Sequence, residues 1–506
     1  MKQFKSHFYL LCYLLFCVAC ARDDGKIEFT FLQVNDVYEI APIQGGQYGG
    51  MARVENVHQD LLKENKNTLL LMAGDFLNPS LLGTLKYQGE RIKGRQMIEV
   101  MNAMNFDLVA FGNHEFDLSE SDLQKRLNES NFPWMSSNVF YKRNDTISLF
   151  YKEREGKKEF VNDTYIKEFT DQDGTKVKVG FLSVCIPSNP KSYVKYTPIF
   201  EEAQRAYNLL KDEVDIVFGL THLTLDQDRR VLEMLPQVPL IMGGHEHTNM
   251  KIAVGDSFIT KADANAKTVY IHRVSFDAKT KEFGISSTLK EINETVKSDV
   301  KVGAVVNQWQ EVLKSKIKEV IANPDKIIYT TEIPLEARDT PIRSAQTNMG
   351  NLITKAMSFA YDDAVDCALV NGGSIRIDDV LEGAISPVDI FRVLPYGGPI
   401  LKVKMKGSLL KKVLHFGENA AGTGAYLQRF NISFKNDDWY VSDKKIRSSQ
   451  IYTVAFSDYL LKGFDIPFLS AKNEEILSVY RPKLTEKAAD IRKSVILCLE
   501  FMSVND

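Results

Sequence analysis

Nearly unbroken apolar runs alternate, along the first half of the chain, with stretches whose apolar residues recur every three or four positions. The runs are Phe29–Val34, Leu69–Ala73, Leu108–Phe111, Ile216–Leu220 and Pro239–Met242. Runs of this length without strict polar alternation predict strands buried on both faces. Met97, Ile98, Val100, Met101 and Met104 share one face of a predicted helix that leads into the Leu108 run. The alternation predicts a layered α/β domain from Lys26 to about Asp299. The polar stretch from Tyr141 to Asp173 reads as surface loops and edge strands.

A second pattern follows. Val305, Trp309, Val312, Leu313, Ile317, Val320 and Ile321 recur at helical spacing with Lys, Glu and Gln between them, and Asn323-Pro324-Asp325 closes the pattern. This amphipathic helix is the predicted connector, over 300–324, to a second α/β domain over 325–506. Within that domain the pattern predicts a helix near Met349–Tyr361, a helix from Ser408 to Phe416, and strands at Ala368–Val370, Ile400–Met405 and Tyr452–Phe456. A chain of 506 residues is too long for one ordinary core, which agrees with two domains.

The first twenty residues read as a targeting segment. Lys2 and Lys5 precede an apolar run from Phe8 to Ala19 that is too short to span a membrane as a helix. Two cleavage readings are open. Cys20 resembles the acylated first residue of a bacterial lipoprotein, and Ala19-Cys20-Ala21 fits ordinary signal cleavage. Both predict an exported protein, in the periplasm or cell envelope, whose one route to a membrane is a lipid anchor at Cys20. Composition adds little else. Apolar content of 44% and charged content of 25% are those of a soluble globular chain. Removing the two signal lysines leaves 63 − 2 = 61 basic against 66 acidic residues, a net −5, which argues against a nucleic-acid surface. Cys185, Cys367 and Cys498 are far apart, with no metal-finger spacing, and leave room for one disulfide.

Chemistry concentrates where the five apolar runs end. They run into Asn35-Asp36-Val37-Tyr38, Gly74-Asp75, Gly112-Asn113-His114-Glu115, Thr221-His222 and Gly243-Gly244-His245-Glu246-His247. In open α/β sheets the ligand crevice lies beyond the strands' carboxyl ends, so these residues are expected in one place. Carboxylate, amide oxygen and imidazole together suit Mn, Zn or Fe better than Ca or a thiolate-bound metal. In an extended segment His245 and His247 point to one side and Glu246 to the other. Asp117, three residues beyond His114, is placed to orient its ring. His58, His272 and His415 lack such partners in the sequence and are read as ordinary structural histidines.

These five motifs, in this order, resemble those of the calcineurin-like metallophosphoesterases. The Phe116-Asp117 extension and the second domain make the chain similar to the 5'-nucleotidase branch in particular. The resemblance spans roughly residues 28 to 470. It implies a four-layer α/β/β/α catalytic domain over 26–299, a connector helix, and an α/β nucleotide-binding domain over 325–506. It also implies two divalent metal ions, one held by Asp36, Asp75 and His247, the other by Asp75, Asn113, His222 and His245. His114 with Asp117 would stabilise the phosphoryl transition state, and the two ions would direct a water in line at phosphorus. The family places histidine where this chain has Tyr38. A tyrosine there either coordinates as phenolate, favouring a harder ion such as ferric iron, or leaves the first site weaker.

In the second domain, Val370-Asn371-Gly372-Gly373-Ser374-Ile375-Arg376 lets backbone approach a ligand closely and lacks the ending of a phosphate-cradling P-loop. The resemblance assigns Arg343, Asn371, Gly373 and Arg376 to substrate, Tyr396 and Tyr459 to a clamp on the nucleobase, and Asp465 to the sugar. Both clamp aromatics are tyrosines where the family has phenylalanines, and Phe464 stands where a glycine is usual. The reading that results is an exported, metal-dependent phosphohydrolase of nucleoside 5'-monophosphates, with a small-molecule nucleotide as partner. A nucleotide-sugar pyrophosphatase, a 2',3'-cyclic-nucleotide phosphodiesterase and a non-catalytic nucleotide-binding surface protein are the alternatives.

Overall fold

The computed structural model describes residues 24–187, 191–324 and 326–505. The segment read as an export signal, with Cys20, lies outside the described residues. The five apolar runs form strands β1 (Lys26–Val34), β2 (Thr68–Ala73), β3 (Leu108–Ala110), β4 (Ile216–Thr221) and β5 (Leu240–Gly243). They belong to two sheets. The first runs Phe283–Glu291, Thr268–Asp277, β1, β2, β3, Trp134–Met135, with β1, β2 and β3 parallel. The second runs Tyr165–Thr170, Lys176–Leu182, β4, β5, Ser257–Lys261, Met250–Val254, with β4 and β5 parallel.

The sheets pack face to face, which explains why their strands read as continuous apolar runs. Phe29, Phe31, Leu69, Leu71, Ile216, Phe218, Leu240 and Met242 fill the space between them. Phe31 meets Phe218 edge to face, with ring centroids 5.1 Å apart. The alternate residues Leu32, Val34, Leu70 and Met72 face a helical layer instead, made by α1 (Met51–Glu64) and α2 (Arg95–Met104). On the far side, Val217 and Ile241 pack under the helices Ile199–Leu210 and Leu225–Met234. The result is an α/β/β/α sandwich. A single crevice on one open sheet is therefore not the arrangement: one end of two stacked sheets brings the five strand ends together.

Helix α3 (Val300–Lys318) forms on the predicted pattern but ends at Lys318, short of Val320 and Ile321. Asp299 caps it by accepting from the Val302 N–H at 2.8 Å. Its buried stripe of Val302, Val306, Trp309, Leu313 and Ile317 lies on α1 and α2, and the Trp309 indole N–H donates to Glu99 at 2.9 Å. The helix thus belongs structurally to the first domain's outer layer while leading to the second.

The second domain is a mixed sheet in the order Leu427–Phe430, Cys367–Asn371, Ile451–Ser457, Ile400–Lys406, Ile476–Tyr480. The helix Asn348–Phe359 covers it and packs on the last helix, Ile491–Asn505. Cys185, Cys367 and Cys498 are all buried free thiols. Among the described residues no helix is long and apolar enough to cross a membrane. The two domains meet at the strand ends of the first. Arg392 pairs with buried Glu39 at 3.1 Å, and Lys267 and Asn265 both hold Asp379 at 3.2 Å.

Candidate metal centre

The chain turns sharply where each strand ends. Asp36, Asp75, His245 and His247 all take left-handed backbone angles, with φ of 53°, 58°, 90° and 57°. Such angles are uncommon for residues with side chains and occur where surrounding structure forces them. The histidine pair is therefore not extended. Its two rings reach different parts of the cluster, His245 beside His222 and His247 beside Tyr38, at ring separations of 5.4 Å and 5.5 Å. Glu246 does point away: it pairs with the buried Lys261 and accepts from the Leu225 N–H. The glycines leave room for these turns. A Cβ at Gly112 would lie 2.1 Å from Asp75 Oδ1, and one at Gly244 would lie 2.5 Å from the Ala73 carbonyl.

The buried oxygens and nitrogens converge. One oxygen or nitrogen from each of Asp36, Asp75 and His222 lies within 4.8 Å of the others. His222 Nδ1 donates to the Ala73 carbonyl at 2.8 Å, since a carbonyl only accepts. Its Nε2 then faces Asp75 Oδ2 at 3.0 Å and Asp36 Oδ1 at 3.9 Å, yet makes no hydrogen bond. Asn113 Oδ1 is also buried without a partner, and Asn113 lines the same cavity as Asp75, His245 and His247. Neutral His222 in this tautomer would aim a lone pair at carboxylate oxygens, which is repulsive without positive charge between them. Burial opposes protonation of His222, but Asp75 and Asp36 outweigh it and raise it to about 9. His247 is likewise driven well above its usual value against burial, by Asp378 and Asp36. Burial alone would raise the Asp36 carboxyl, but His222 and His247 hold it well below the usual range. Burial and His222 push His245 down to about 4, so that ring stays neutral. The cluster thus gathers protons to balance its carboxylates. A divalent cation would supply the same charge, and the donor set of carboxylate, amide oxygen and imidazole fits one.

Tyr38 lies inside this cluster, with its hydroxyl 3.0 Å from His247 Nε2, 3.4 Å from Asp75 Oδ2 and 3.5 Å from Asp36 Oδ1. Burial, then Asp75 and Asp36, drives the phenol well above its usual value, so the hydroxyl keeps its proton. His114 stands beside the cluster. Its Nδ1 donates to Asp117 Oδ2 at 2.8 Å, and Asn78 donates to the same oxygen at 2.7 Å. Burial disfavours the charged ring, but Asp75, Asp117 and Asp378 raise His114 to about 10, so it holds a proton at Nε2.

The second domain closes over this floor. A cavity of about 490 Å³ is lined by Asp75, Asn113, His114, His245 and His247 below and by Arg338, Asp339, Arg343 and Asp378 above. A separate cavity of about 440 Å³ gathers Asn371, Gly373, Arg376, Tyr396, Tyr459 and Asp465. Six of the seven residues predicted to bind substrate thus share one cavity, while Arg343 lies in the other, paired with Asp339 at 2.8 Å. Tyr396 is 63% exposed and Tyr459 37%, so both rings offer free faces. Phe464 in place of glycine leaves Asp465 turned inward, where it accepts from Asn371 at 2.7 Å and from the Tyr459 hydroxyl at 3.1 Å. Arg376, which lines the aromatic cavity, lies 3.7 Å from Asp117, the partner of His114.

Two family descriptions match the chain. Calcineurin-like phosphoesterase covers residues 29–249, and 5'-nucleotidase, C-terminal domain, covers 326–471. The chain belongs to the 5'-nucleotidase-like phosphoric ester hydrolases. Among relatives of this family, the snake venom 5'-nucleotidase of Crotalus adamanteus is 27% identical over 460 residues, covering 81% of this chain and 73% of that one. The 5'-nucleotidase of Rattus norvegicus is 27% identical over 473 residues, covering 82% and 78%. The 5'-nucleotidase precursor from Thermus thermophilus shares the fold, with a TM-score of 0.65 at 21% identity over 94% of this chain and 97% of that one. A sulfate thiohydrolase from the same organism also shares it, with a TM-score of 0.59 at 16% identity over 94% of each chain. The fold thus hosts more than one chemistry, and the site has to decide the substrate.

Three residues of this hydrolase site had no role in the sequence reading. Glu115, fully buried, accepts from the backbone N–H groups of Asp75, Phe76, Leu77 and Gly112 at 2.7–3.1 Å, and so ties together the loops that carry Asp75 and Asn113. Its place inside the Gly112-Asn113-His114-Glu115 motif was a signal. Asn35 donates to Asp36 Oδ2 at 2.8 Å and fixes that carboxylate from the adjacent position. Asp378 comes from the second domain, and nothing in its local pattern marks it.

Proposed function

We propose that this chain hydrolyses nucleoside 5'-monophosphates with two divalent metal ions, and that it works outside the cytoplasm. Asp36, Asp75 and His247 would hold one ion, and Asp75, Asn113, His222 and His245 the other. When bound, the ions neutralise phosphoryl oxygens and acidify the attacking water. The rest falls to the chain's own groups. Tyr396 and Tyr459 stack on the base, and Asp465 accepts from the sugar hydroxyls. Arg376 and Arg343 draw the phosphate toward the floor of the cavity. His114, held by Asp117, presents its Nε2 proton to the leaving 5'-oxygen. The export reading rests on residues 1–20 alone.

The observation that carries this reading is the position of Arg376, in the aromatic cavity and close to Asp117. A nucleoside in the aromatic cavity would have Arg376 beside it, 3.7 Å from Asp117, the partner of His114, which supports a phosphate directed that way. The test is phosphate release from AMP, UDP-glucose and 2',3'-cyclic AMP with Mn, Zn, Mg or Fe added in turn. AMP is expected to be the best substrate. Tyr396→Ala and Tyr459→Ala are each expected to raise KM on the order of tenfold, from the loss of about 1–3 kcal/mol of stacking. An unchanged KM in both variants refutes the nucleobase clamp. No release with any metal refutes the hydrolase reading of this site.

A further inference from the structure

The carboxylate of Asp378 enters the catalytic domain's metal cluster from the other domain. Its Oδ1 accepts from the Asp339 N–H at 2.7 Å, which fixes the group and leaves Oδ2 free to point inward. Oδ2 lies 3.6 Å from His247 Nε2 and 3.9 Å from His114 Nε2. The backbone carbonyl of the same residue accepts from His247 Nδ1 at 2.6 Å, which commits the Nε2 of that ring to the cluster. Metal-ligating histidines characteristically donate their other N–H to a carbonyl or carboxylate in this way.

Three oxygens therefore surround His247 Nε2: the Tyr38 hydroxyl at 3.0 Å, Asp36 Oδ1 at 3.3 Å and Asp378 Oδ2 at 3.6 Å. Each of these separations is one that two ligands of the same first-row ion, each about 2.1 Å from it, can show. The neighbouring Asn113 Oδ1, buried without a hydrogen-bond partner, and His222 Nε2, buried 3.0 Å from Asp75 Oδ2, mark the same cluster as built for cations. The resemblance expects a histidine where Tyr38 stands, and a phenol oxygen is a poorer donor to such an ion than an imidazole nitrogen.

We propose that Asp378 is a metal ligand supplied by the second domain, completing the site of Asp36, Asp75 and His247 that Tyr38 leaves short of a strong donor. The inference rests on the two-metal reading above. It makes binding of that ion and closure of the two domains one linked event, because each favours the other. The ion held by Asn113, His222 and His245 is not linked in this way.

The test is metal binding to the full chain, by calorimetric titration with Mn and by metal content after dialysis. The parent is expected to hold two ions. Asp378→Asn keeps the Oδ1 acceptor and the fold, and is expected to weaken one ion about tenfold or more while leaving the other unchanged. Tyr38→His in the Asp378→Asn background is expected to restore it. In the parent, metal is expected to slow hydrogen exchange across residues 376–379. If Asp378→Asn binds both ions as the parent does, the proposal is overturned. If that variant also binds inorganic phosphate more tightly, Asp378 instead stands at the phosphate position as a carboxylate plug. A parent that binds no metal overturns the two-metal reading itself, and this inference with it.

Discussion

Glu115→Gln changes one atom between the loops that carry Asp75 and Asn113. In the parent, Oε2 accepts from the Asp75 and Gly112 N–H groups at 2.9 Å and 2.7 Å, and Oε1 accepts from Phe76 and Leu77 at 2.8 Å and 3.1 Å. Burial, then the charge of Asp75, pushes this carboxyl up to about 7, and the N–H groups of Phe76, Leu77 and Gly112 pull the other way. Glutamine has one acceptor oxygen, so its NH2 must face two N–H donors in either orientation of the amide. No rotamer escapes, because each parent oxygen serves two donors. Two buried donors without acceptors cost about 1–3 kcal/mol each, or about 2–6 kcal/mol in all. The loss is local to the Asp75 and Gly112 turns, so hydrogen exchange is the suitable assay. Peptides covering residues 74–77 and 112 are expected to exchange at least about 30-fold faster in the variant, at about 1.4 kcal/mol per tenfold. Metal content is expected to fall with it, since Asp75 is common to both proposed ion sites. Exchange within threefold of the parent would show that the four-donor strap is not what holds these turns.

Two other outcomes follow from buried groups away from the cluster. Burial, with a lesser effect from Lys251, lowers His272 to about 3, and the neutral ring sits between Ser287 Oγ at 2.8 Å and Gln33 Oε1 at 3.0 Å. A histidine lowered on folding leaves stability whole above its unfolded value near 6.5 and erodes it as pH falls toward 3, because the unfolded chain takes the proton first. At about 1.36 kcal/mol per pH unit the erosion is on the order of 5 kcal/mol. Urea midpoints of the parent and His272→Gln are expected to diverge over that window, and parallel curves would refute it. Arg392→Met strands the buried carboxylate of Glu39, a loss of about 3–5 kcal/mol by thermal unfolding. Adding Glu39→Gln is expected to recover most of that loss; no recovery would mean that Arg392 acts through its packing.

The strand-end chemistry was legible because it is local. A residue just past an apolar run is at a strand end wherever that strand goes, so Asp36, Asp75, Asn113, His222 and the histidine pair were readable as one class. Likewise, the stripe Val302, Val306, Trp309, Leu313 and Ile317 had to find an apolar partner. The identity of that partner, the α1 and α2 faces, had no counterpart in the local pattern. The conformation of the His245–His247 turn was misread for a related reason. Spacing alone suggests an extended pair, while the folded chain holds left-handed angles at both residues, with the His245 N–H donating to Asp36, the His247 carbonyl accepting from the Ala264 N–H and Glu246 bound to Lys261 between them.

What the sequence determined by itself is the inventory: five strand-end ligand motifs, the acid beside His114, a glycine-rich loop with two tyrosine segments, and the odd member Tyr38. Periodicity reports what each segment must bury, and the residue types report what each end can bind. What only the tertiary structure decided is who meets whom. It divided the five strands between two stacked sheets. It placed Arg343 in the cavity over Asp75, Asn113 and the histidine pair, and the other six predicted substrate residues in their own cavity. It also brought Asp378, 131 residues away along the chain, against His247. Contacts across such separations depend on the docking of whole faces, and side-chain period along one segment carries no record of the face it will meet.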